Sequence, residues 1–158
     1  MKNKWIIVGV VAVSVLLGGA LAAAHSYNPI KWIKKGPSPT ASEQLAANKE
    51  EEKKLSLQLQ ALLPPRISLK DACAGFKNLN DCVAALHVSH NLKIKFNCLK
   101  WDVTGAKPAG DVKSCAAPSN DKAISLSKAI RELKPDANSR AEAKTAEKRA
   151  REDIKDAS

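Results

Sequence analysis

The sequence predicts an all-α fold: a small, disulfide-stapled bundle of short helices. A hydrophobic N-terminal helix and a linker helix precede it, and a charged C-terminal helix follows. Three observations predict this. Capping pairs at helix-start spacing recur along the chain, at Thr40/Glu43, Ser68/Asp71, Asn78/Asp81 and Ser139/Glu142. β-Branched runs are few, and no hairpin turn signal separates alternating segments. Four cysteines, an even count, lie between Cys73 and Cys115. A chain of 158 residues accommodates one compact domain with appendages.

Residues 1–24 read as a signal peptide or an N-terminal membrane anchor. Lys2 and Lys4 precede an uncharged run from Ile6 to Ala24, and Ala22 and Ala24 occupy the small-x-small positions of a signal-peptidase site. Cleavage near Ala24 leaves a chain beginning at His25. Retained, residues 5–24 form a helix of about 30 Å, long enough to cross a bilayer core. Both outcomes place the rest of the chain outside the cytoplasm. Residues 25–40 form a juxtamembrane linker in which Gly36, Pro37 and Pro39 oppose regular structure. Residues 41–63 form one linker or stalk helix, rich in helix formers, with Leu55, Leu59 and Leu62 on a shared face. Pro64-Pro65 ends it.

The core domain spans 66–135. A short helix opens at Ser68, and Gly75 can end it in a left-handed conformation. A second opens at Asn78 and runs to about His90, with Asn91 as the stop. A third holds Phe96, Leu99, Trp101 and Val103 and ends at Gly105. A loop rich in turn residues follows, and then a helix with Leu126, Ala129, Ile130 and Leu133 along one stripe, closed by Pro135. The segment 136–158 is a charged helix or solvated tail carrying Glu147/Arg151, Lys148/Glu152 and Arg149/Asp153 at four-residue spacing. Ala143, Ala146, Ala150, Ile154 and Ala157 form its thin apolar strip.

The chemistry-bearing residues cluster in "DCVAALHVSHNLKIKFNCLKWD", Asp81–Asp102. Outside the cytoplasm, four cysteines argue for two disulfides, and three pairings are possible. Cys73 lies near the end of one short helix and Cys82 near the start of the next. Cys98 begins the third helix and Cys115 sits in the following loop. Local geometry therefore favours Cys73–Cys82 and Cys98–Cys115. The chain lacks the Cys-x-x-Cys pair typical of redox catalysts. His87 and His90 can share a helix face, so the alternative is a metal-binding protein using both with cysteine thiolates. Helix-end capping explains the same histidines without metal. The helix spacing from Val83 to Val103 invites a helix–turn–helix, DNA-binding reading, against which the export signal argues. No nucleophile elbow, zinc-protease helix, phosphate loop or dinucleotide fingerprint occurs. No catalytic residue and no cofactor is expected.

"GFKNLNDCVAALHVSHNLKIKFNCLKWDVTG" followed by "SLSKAIRELKP" resembles a bacterial family of exported or membrane-anchored proteins. Its members carry variants of FKNLxxFVAALHVSHNLGIPFDQLKxxMTG and SLGxAIxxLxP. The resemblance covers about Ala72 to Pro135 and implies no activity or site residue. Cys82 stands where the pattern has an aromatic, and Lys93 and Lys95 stand where it has Gly and Pro. The loop from Ala106 to Ala123 is extended relative to it.

The formal charge is +10, with the excess between His25 and Lys134, on lysines such as Lys93, Lys95, Lys100, Lys107 and Lys113. From Asp136 onward basic and acidic residues balance. The expected function is a non-enzymatic binding or structural module of the cell envelope with a basic surface. Its expected partners are an anionic membrane surface, a wall polymer or an acidic envelope protein.

Overall fold

The computed structural model describes residues 38–109, 112–115 and 122–158. The expected signal or anchor (1–24) and linker residues 25–37 lie outside the described residues. Among those described there are seven helices and no strand: α1 (Ala41–Ala47), α2 (Lys49–Gln58), α3 (Leu69–Cys73), α4 (Leu79–Leu92), α5 (Phe96–Thr104), α6 (Leu126–Leu133) and α7 (Ser139–Ala157). None of these helices is long and apolar enough to cross a membrane.

Helix α4 is the centre. Leu79, Cys82, Val83, Ala84, Ala85, Leu86 and Val88 are all buried, so it is apolar around most of its circumference, as a helix with neighbours on several sides must be. It packs against α1, α3, α5, α6 and, most extensively, α7. Asn78 caps it by accepting the Asp81 N–H at 2.9 Å. The helix runs past Asn91, and Lys93 ends it with φ 57°. A left-handed conformation costs a non-glycine residue roughly 1–2 kcal/mol. The stop thus falls two residues beyond the expected one.

The expected single helix over 41–63 is two helices. Asn48 takes φ −135°, ψ 94° and accepts the Glu51 N–H, which ends α1 and caps α2 in one residue. An Asn side chain competes for backbone donors in this way and favours cap over helix interior. Helix α2 also stops at Gln58, before the prolines, where the Leu59 N–H turns back to the Leu55 and Leu57 carbonyls. Neither helix is a free stalk. Ala41, Leu45, Leu55 and Leu59 are buried, α1 packs on α3 and α4, and α2 packs on α7. Gln44 fastens α1 by donating to the Pro39 carbonyl at 2.8 Å and accepting the Leu79 N–H at 3.3 Å.

The C-terminal helix is likewise part of the core. Ala143, Ala146, Ala150 and Ala157 are buried, and such small side chains allow its backbone to approach α4 closely. Its N-cap is Asn138, which accepts the Ala141 N–H at 3.2 Å, one residue before the expected Ser139. Lys148 pairs with Glu152 at 3.7 Å, whereas Asp153 turns inward to His87. The core thus extends on both sides of the expected 66–135.

Candidate functional site

Cys73 is bonded to Cys82 and Cys98 to Cys115. The first disulfide is fully buried and ties the end of α3 to the first turn of α4. That approach is possible because Gly75 adopts φ 89°, a backbone state that costs glycine little. The second fastens the loop after α5 to the first turn of α5. Closing chain segments of this length contributes about 3 kcal/mol each through the unfolded state. Two disulfides fit an oxidising location.

All four sulfurs are consumed in disulfides, so in this structure none is a thiolate beside His87 or His90. A disulfide sulfur carries no thiolate charge to give a metal. His87 is mostly buried and its Nε2 lies 2.6 Å from Asp153 Oδ2, a tie between α4 and α7. His90 is exposed on the last turns of α4. Among the described residues no group of three or more His, Cys, Asp or Glu side chains is arranged to hold a metal.

The Cys98–Cys115 staple gathers positive charge. Lys93 ends α4 and Lys95 is the N-cap of α5. The Lys95 Nζ donates to Ser114 Oγ at 2.6 Å, so the stapled loop brings Lys113 to the same end of the molecule. Lys107 lies over the Trp101 ring, 5.5 Å from its centroid, within cation–π range. Lys100 is a different kind of lysine. Its Nζ donates to the Asp71 carbonyl at 3.0 Å, and burial pulls its pKa below the ordinary lysine value, with Asp71 opposing that pull. It serves to join α5 to α3.

Asp102 is an acidic residue that sequence reasoning missed. It is 3% exposed, and burial, reinforced by the negative charge of Glu132, pushes its carboxyl up to about 6. Nothing distinguishes this aspartate in the sequence, because its burial arises where α6 packs on α5 and the Ile124 N–H bonds its carbonyl at 2.9 Å.

Two clefts adjoin the core. One of about 380 Å³ mixes the Asp81 and Glu147 carboxylates with Lys77 and an apolar wall from Phe76, Val103 and Leu126. The other, about 690 Å³, lies among α1, α2, the start of α4 and the end of α7, with Arg151 and Lys155 on one rim and Glu43 and Glu51 also lining it. Comparison with protein-family models, curated proteins and solved structures finds no match to this chain.

Proposed function

We propose that the chain is a non-enzymatic binding or structural module of the cell envelope that offers a basic end to an anionic partner. One observation carries this reading: the Cys98–Cys115 disulfide clamps the Lys113 loop beside the Lys93–Lys95 turn. A staple that pre-orders a charged surface lowers the entropy lost when a partner engages it. Oxidised cysteines and the hydrophobic start of the chain support placement outside the cytoplasm.

The test has two arms. Fractionation with mass spectrometry of the mature N-terminus should find the chain in the envelope, beginning at His25 or retaining Met1. A cytosolic chain with four free thiols overturns the reading. In the second arm, the folded protein should bind isolated anionic envelope material, with retention falling steeply as salt rises from about 50 to about 200 mM. Replacing Lys93, Lys95 and Lys113 with Gln should weaken that retention at least about tenfold at the lower salt. Equal retention of this variant removes the stapled end as the binding surface.

A further inference from the structure

Helix α7 carries a second basic surface, whose order the balanced charge of its segment conceals. Arg140, Lys144, Lys148, Arg151 and Lys155 are all exposed. Their spacings of four, four, three and four residues put them within about 80° of arc on one helix. The row is about 22 Å long, with neighbouring charges roughly 4.5–6 Å apart along the axis. It occupies the arc next to the buried alanine face. Within the row, the ion pair among the described residues is Lys148 with Glu152, at 3.7 Å. A shallow depression of about 380 Å³ borders Lys144, Lys148 and Arg151. At its far end, Arg151 and Lys155 form a rim of the 690 Å³ groove.

We propose that this row is the docking track for a linear phosphodiester polymer of the cell wall, a polyol-phosphate chain. The form of the row selects among anionic partners. A partner helix needs an apolar seam running the length of its charges, whereas the apolar side chains beside this row, Ile154 with Ala47 and Leu79, lie in the groove at its end. Base-stacking platforms are aromatic, and α7 has no aromatic residue, so the row suits a phosphate backbone without bases. A flat bilayer would also meet the acids beside the row, Glu152 on one side and Glu147 on the other. A single strand lying along the row meets its five cations, and Glu152, the carboxylate beside them, is already turned to Lys148. The track is separate from the stapled end, but rests on the same reading of the protein as a binder of anions.

The experiment measures binding of the oxidised protein to synthetic poly(glycerol phosphate) across a salt series. Short oligothymidylate and vesicles containing phosphatidylglycerol serve as rival probes. The wild type should bind the polymer more tightly than either rival. Replacing Lys144, Lys148, Arg151 and Lys155 with Gln should weaken binding at least about tenfold at low salt and reduce the log–log salt slope by about 3, as four lost contacts to a single strand require. The variant with Lys144, Lys148 and Lys155 changed to Arg should retain binding, and circular dichroism should show all variants equally helical. Unchanged polymer affinity in the glutamine variant, or stronger binding to vesicles or oligothymidylate, overturns the proposal. If the Lys93/Lys95/Lys113 variant alone loses the polymer, the track is wrong and the envelope-binding reading stands. A wild type that binds neither polymer nor envelope material overturns both.

Discussion

Asp102 sits on α5 with its carboxyl screened from water and its pKa raised to about 6. Because the folded state holds this proton more tightly than the unfolded chain, whose reference value is 3.8, its charging opposes folding. Relative stability is greatest below about pH 4 and is lost as pH rises through about 6. Asp102→Asn keeps the shape and removes the charge. Urea unfolding with disulfides intact should show the variant more stable than wild type above pH 6.5, by up to about 3 kcal/mol, and the two converging near pH 4. A variant that is less stable at every pH would show that the carboxylate holds a favourable contact. Asn78 and Ser68 were legible as caps because the interaction needs only the next three residues, and both accept from the N–H three residues on. The cap at Asn138 instead of Ser139 shows the limit, since two adjacent residues offered the same chemistry.

At the scale of elements, Asn48 decides whether residues 41–58 are one helix or two. Were the helix continuous, Asn48→Ala should stabilise it, because Ala is the better interior residue. In this structure Asn48 caps α2, so Asn48→Ala should destabilise the protein by about 1 kcal/mol, read from chemical denaturation. The sign alone separates the two architectures. Helix-former composition predicted both halves correctly but could not reveal the break, which lets α1 reach α3 and α4 while α2 reaches α7. Leu57 illustrates the same division. It shares spacing with Leu55 and Leu59, yet it is 66% exposed while they are buried, as a helical period demands and a strand's alternation would not.

For the whole molecule, the largest difference from the sequence reading is α7. Its alanine strip is too thin to announce a core helix, and its charges suggest a solvated tail. Yet those alanines cover α4, whose own surface is apolar on nearly every side. A chain ending at Pro135 should therefore lose cooperative unfolding and bind a hydrophobic dye such as ANS, as expected of a core stripped of its cover. Retention of a sharp thermal transition would show that α1–α6 suffice.

Local sequence is enough for the all-α class, most helix starts and the placement of the cysteines in or beside neighbouring short helices. Each depends on residues a few positions apart, and capping, turn and propensity energies act at that range. Tertiary structure alone decided that α1, α2 and α7 belong to the core, that His87 meets Asp153, and that Asp102 is buried. Those outcomes depend on which faces meet across long separations, 66 residues in the case of His87 and Asp153. Small alanines and lone polar groups carry little local signal, and their role appears only when α7 lies against α4.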